Sequence, residues 1–89
     1  MNNFLFVYTL TCCDGSIYTG ITTDLARRLH EHNHTSRGAK YTRSRRPVKL
    51  LASICVSDKS SALKLEAKIK KMSRNQKLTW IRENMEMSI

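Results

Sequence analysis

Apolar residues recur along the chain with two different periods, and the switches between them mark out the elements. Phe4 to Leu10 is dense in aromatic and branched side chains, Asp14-Gly15 supplies turn chemistry, and Ser16 to Thr19 returns as a second strand, so the chain opens on a β-hairpin. Alternation puts Phe4, Phe6 and Tyr8 on one face of the first strand. Antiparallel pairing then lets Tyr8 and Tyr18 approach each other across the hairpin. Thr22, Thr23 and Asp24 are capping residue types ahead of a short amphipathic helix, Leu25 to His32. Leu25 and Leu29 form its apolar stripe. Arg28 and His32 lie a turn apart along one edge of that stripe, whereas Arg27 points away.

Beyond this helix the pattern breaks. Residues 37–47 carry many cations and no acid, with Gly38 and Pro47 as punctuation, which predicts an exposed connection. Lys49 to Ser57 alternates and is β-branched enough for a third strand. Asp58 can cap a helix from about Lys59 to Met72, with Ala62, Leu65, Ile69 and Met72 as its buried stripe and Lys64, Lys68 and Lys71 facing water. Glu66 falls on the apolar side of this helix, a position costly for a carboxylate unless a cation meets it. Ser73 with Gln76 forms a capping box for a last helix that ends near Asn84. The order strand, strand, helix, strand, helix, helix predicts an α+β fold: a small three-stranded mixed sheet flanked by helices.

Composition narrows the function classes. A chain of 89 residues is expected to make a single domain, residues 1–89, with one modest core. Sixteen Lys and Arg against seven Asp and Glu leave a formal charge of +9, which favours a polyanionic partner through counterion release. No apolar run is long enough to cross a bilayer, and the N-terminus lacks a secretory pattern, so no membrane association and a cytoplasmic location are expected. Cys12, Cys13 and Cys55 are an odd set without C-x-x-C spacing; they are read as reduced thiols, with Cys55 in the core. His30, His32 and His34 alternate along a helix and therefore point apart, which disfavours a zinc site.

Four features stand in a fixed order: Phe6-Val7-Tyr8, Tyr18-Thr19-Gly20, Arg28-Leu29-His30-Glu31-His32, and the solitary Glu66. This set resembles the GIY-YIG endonuclease superfamily over nearly the whole chain. The run Gly38-Ala39-Lys40-Tyr41-Thr42-Arg43 is similar to that of its small stand-alone, YhbQ-like clade. Phe6-Val7-Tyr8 departs from the Gly-Ile-Tyr of the superfamily, a variation that this clade tolerates.

The resemblance implies a metal-dependent phosphodiesterase acting on DNA, with RNA as the alternative substrate. Tyr8 corresponds to the general base toward the attacking water. Its free phenol has a pKa near 10, so about one molecule in a thousand is ionised at pH 7, and nearby positive charge must offset that deficit. Tyr18 corresponds to a hydrogen-bonding partner of the phosphate or water, Arg28 to the arginine on the scissile phosphate, and His32 to a group assisting proton transfer or phosphate contact. Glu66 corresponds to the carboxylate holding one Mg²⁺ or Mn²⁺ ion. Arg37, Lys40, Tyr41, Arg43, Arg45 and Arg46 are expected to grip the nucleic-acid backbone. Asn75 is a weak counterpart of a further polar residue of many relatives. Two blander readings stay open: Glu66 as a structural ion-pair partner, for instance of Arg28, and the whole chain as a nucleic-acid-binding module that does not cut.

Overall fold

The computed structural model describes residues 4–88. Strands β1 (Leu5–Thr11) and β2 (Ile17–Thr22) form the hairpin, with Tyr8 opposite Gly20 and Leu10 opposite Tyr18. Its turn is closed by Gly15 at φ 85°, a value that favours glycine, and by the Asp14 carboxylate, which accepts from the Ser16 amide at 3.0 Å. Strand β3 (Lys49–Val56) pairs antiparallel with β1 on its other side.

Helix α1 (Leu25–His34) starts where predicted, with the Asp24 carboxylate accepting from the Arg27 amide at 3.0 Å. Helix α3 (Lys59–Lys70) is capped in the same way by Asp58, at 2.7 Å from the Ser61 amide. Helix α4 (Arg74–Asn84) has both bonds of the Ser73–Gln76 capping box. Among the described residues no helix is long and apolar enough to cross a membrane.

The α+β class holds, with three corrections. The sheet is antiparallel rather than mixed, and it has four strands in the order β2-β1-β3-β4. The addition is β4 (Glu86–Met87), two residues beside Ala52 and Ser53 of β3. The basic connection contains a one-turn helix, α2 (Lys40–Arg43). Cys55 is exposed and Cys12 is the buried thiol, because β3 turns Cys55 outward while Cys12 continues the buried face of β1.

Strand alternation divides the core into two layers. Val7, Ile17 and Ala52 face α3 and α4, where they meet Ala62, Ile69 and Ile81. Tyr8, Leu10 and Cys12 face the other way, toward Val48 and the stripe of α1 formed by Leu25 and Leu29. The Asn33 amide ties α1 to the sheet by mimicking a strand neighbour: it donates to the Val48 carbonyl at 2.9 Å and accepts from the Val48 amide at 2.7 Å. Helix α1 is thereby held against the hairpin with its Arg28–His32 edge over Tyr8.

Candidate active site

Tyr8 lies on the α1 face of the sheet and is 2% exposed. Its ring crosses Gly20 so closely that a Cβ there would stand 2.5 Å from the phenolic oxygen. Glycine at this position is therefore required by the phenol itself. The Tyr8 hydroxyl sits 2.7 Å from Nε2 of His32, which is fully buried. On the far side of that imidazole, Nδ1 is 2.8 Å from the Thr42 hydroxyl, which in turn donates to the Ala39 carbonyl at 2.9 Å.

These three contacts settle where the protons are. The Thr42 hydroxyl has one proton and gives it to a carbonyl that can only accept, so toward His32 it can only accept. Nδ1 must then carry the imidazole proton, which leaves Nε2 bare to receive the Tyr8 O–H. Burial, reinforced by the Arg28 guanidinium, pushes the His32 imidazole down to about 4, so the neutral form persists through the physiological range. Burial, with Tyr18 beside it, pushes the Tyr8 phenol up to about 12 despite the opposing pull of Arg28. The expected lowering by positive charge is thus outweighed: Tyr8 is a phenol with a ready proton acceptor rather than a standing phenolate.

Arg28 is half-buried, donating to Glu31 at 2.9 Å and to the Arg37 carbonyl at 2.8 Å, with its guanidinium beside the Tyr8 hydroxyl. Arg27 is exposed, as the periodicity required. The Tyr18 ring meets His32 edge-on, with centroids 5.2 Å apart, and lies 6.4 Å from the Tyr8 ring. Glu66 faces the same cluster from α3, close enough for its charge to act on Tyr8. Its partner is Lys70, at 3.3 Å, not Arg28. A half-buried carboxylate whose bridging cation sits on a flexible stem suits a divalent ion that keeps most of its water shell. Among the described residues no group of three His, Cys, Asp or Glu gathers to make a fuller metal cage.

The basic run divides. The Arg46 guanidinium donates to the His32, Glu31 and Thr35 carbonyls at the end of α1, so it caps the helix rather than facing solvent. Gly38 allows this closeness, since a Cβ there would stand 2.9 Å from the Glu31 carbonyl oxygen. Arg45 pairs with Asp14 at 3.0 Å and lies over the Tyr41 ring, 3.9 Å from its centroid. Arg37, Lys40 and Arg43 are exposed. Asn75 is exposed as well and borders a groove with Met72, Trp80 and Glu83, away from the tyrosines. Thr42 and Lys70 carried no individual reading in the sequence; a threonine within a cationic run, and a lysine one turn after Glu66, are the signals that point to them.

Residues 4–79 match the GIY-YIG catalytic domain. A UPF0213 protein of Syntrophus aciditrophicus is 53% identical over 81 residues, covering 91% of this chain and 93% of the relative. A UPF0213 protein of Streptococcus agalactiae is 51% identical over 79 residues, 89% of each chain. The solution NMR structure of a UPF0213 protein from Bacillus halodurans superposes with a TM-score of 0.59 at 41% identity, covering 91% of this chain and 85% of that one. The chain carrying this buried tyrosine–histidine pair belongs to the GIY-YIG superfamily, among the UPF0213 proteins.

Proposed function

We propose that the protein is a metal-dependent endonuclease that hydrolyses phosphodiester bonds in DNA, with RNA as the alternative substrate. The observation that carries this reading is the Tyr8 O–H aimed at a bare, neutral Nε2 of His32 beside the Arg28 guanidinium. In the proposed step, water attacks phosphorus and the opposite P–O ester bond breaks, its oxygen leaving with the bonding pair and taking a proton from solvent water. The water proton passes to the Tyr8 oxygen as the Tyr8 proton passes to His32. With the phenol near 12 and the imidazole near 4, a discrete phenolate–imidazolium pair lies far uphill, so both transfers belong to the attack itself. Arg28, swung from Glu31 or shared with it, meets two phosphate oxygens and stabilises the charge that develops on them. Tyr18 supplies a further hydrogen bond.

Glu66 would hold the Mg²⁺ or Mn²⁺ ion, which when bound supplies Lewis-acid stabilisation of the phosphoryl oxygens. Arg37, Lys40 and Arg43 position the backbone without reading sequence. The test is nicking of plasmid and oligonucleotide substrates in Mg²⁺ or Mn²⁺. Arg28→Ala and Glu66→Ala are expected to abolish cleavage while leaving the circular dichroism spectrum unchanged; undiminished nicking by either would refute the assignment.

A second reading, a nucleic-acid-binding module without catalysis, draws on one observation: Glu66 and Arg28 are each already paired, with Lys70 and Glu31. It predicts binding with no metal-stimulated cleavage of any DNA or RNA form.

A further inference from the structure

Next to the tyrosine–histidine cluster, at the open edge of β2, lies a cleft of about 320 Å³ lined by Ile17, Tyr18, Thr19, Tyr41, Lys70 and Lys77. Two of its properties are unexplained by the chemistry above. First, it has an aromatic wall: the Tyr18 and Tyr41 rings stack with centroids 6.0 Å apart and planes inclined by 29°. Tyr41 is 40% exposed, so the pair can be reached from solvent. Second, Arg45 covers the other face of Tyr41 and is itself held by Asp14 and by the Tyr41 carbonyl at 2.8 Å, so the ring is backed and oriented.

The geometry points to a nucleobase-binding site: we infer that this cleft takes the base of an unpaired nucleotide flanking the scissile phosphate. A base inserted between the two rings needs two van der Waals separations of about 3.5 Å. The present 6.0 Å spacing reaches that with an opening of roughly 1 Å at the exposed Tyr41, and the rings already diverge. Lys77 and Lys70 line the same cleft and can meet the attached phosphate. Lys70 also bridges to Glu66 at 3.3 Å, which ties the cleft to the cutting site. A paired base has both faces covered by its neighbours and cannot enter; an unpaired base has every face free, and aromatic stacking is its usual anchor. The inference deepens the proposed function by naming an unpaired strand as the substrate next to the cut, and it rests on that reading for the word scissile alone.

The experiment is done in chelator, so that binding is read without cutting. A single-stranded oligonucleotide carrying 2-aminopurine at successive positions is titrated with wild type and Tyr41→Leu. Expected are quenching at one position with the wild type, and loss of that quenching with about tenfold weaker Kd for Tyr41→Leu. An abasic residue at the quenched position should weaken the wild type and leave Tyr41→Leu unchanged. Equal quenching and affinity for wild type and Tyr41→Leu would overturn the site, as would equal affinity of the wild type for duplex and single strand at low and high salt. If stacking is seen and no nucleic acid is ever cleaved in Mg²⁺ or Mn²⁺, the nucleobase site stands and the nuclease reading falls. If cleavage is seen and Tyr41→Leu changes neither binding nor cleavage, the reverse holds.

Discussion

Replacing Thr42 by valine removes one hydroxyl 2.8 Å from His32 Nδ1, and the arrangement of the whole site depends on that atom. Valine keeps the shape but accepts nothing, so the Nδ1–H becomes a buried donor without a partner, at a cost of about 1–3 kcal/mol. The same energy is what holds the tautomer, since an imidazole protonated at Nε2 instead turns its N–H on the Tyr8 oxygen and leaves the Tyr8 proton without an acceptor. Losing it shifts the tautomer ratio by a factor of roughly 5 to 150 toward the Nε2–H form. Cleavage should fall by up to that factor, and thermal stability by several degrees, because 1 kcal/mol moves the midpoint of a domain of this size by about 4–8 °C. Nitrogen-15 chemical shifts read the outcome directly. The wild type should show His32 Nδ1 protonated and Nε2 bare, Thr42→Val a mixture or reversal, and Thr42→Ser the wild-type pattern again. Retention of the Nδ1–H pattern in the valine variant would falsify the proton assignment on which the Tyr8 relay depends.

The same imidazole sets an acid limit. Its pKa is about 4 in the folded protein against about 6.5 unfolded, so between these values the unfolded chain binds more protons; the stabilisation is complete above about 6.5 and is lost as pH falls toward 4, by about 3 kcal/mol in all. Urea midpoints at pH 7.5, 5.5 and 4.5 should trace this loss in the wild type and a much flatter course in His32→Gln; parallel courses would count against it. Gly20→Ala brings a methyl to 2.5 Å from the Tyr8 oxygen and 2.7 Å from Cζ of a buried ring that has little room to move. It should cost about 1–3 kcal/mol by overpacking and displace the phenol from His32. A urea midpoint equal to that of the wild type would show that the ring is not confined as described.

The sequence was legible wherever a physical rule acted over a few residues. Periodicity separated Arg28 from Arg27, and Asp24, Asp58 and Ser73 marked helix starts because each cap is a local contact. The hairpin followed from Asp14-Gly15. What lay outside those rules could not be read. β4 has two residues, too few for any alternation, and it exists only because the chain leaving α4 runs beside β3. Arg46 looks in sequence like its neighbours; only the close approach of Gly38 to α1 makes it a helix cap. Cys55, expected in the core, is exposed because burial depends on which face each strand residue presents. Thr42 is hidden by its cationic surroundings, and its role emerges when a residue ten positions earlier, His32, lies against it.

Arg46 also makes the site conditional on completed folding. The helix that carries Arg28 and His32 is finished by a residue three positions before β3 begins, and the tautomer of its histidine is set by Thr42 a few positions before that. A nascent chain that has made only the hairpin and α1 has both tyrosines and the histidine but neither the latch nor the proton anchor. The parts that would let it attack a phosphate come together only as the central strand gains its second neighbour, so an incompletely folded chain remains chemically silent.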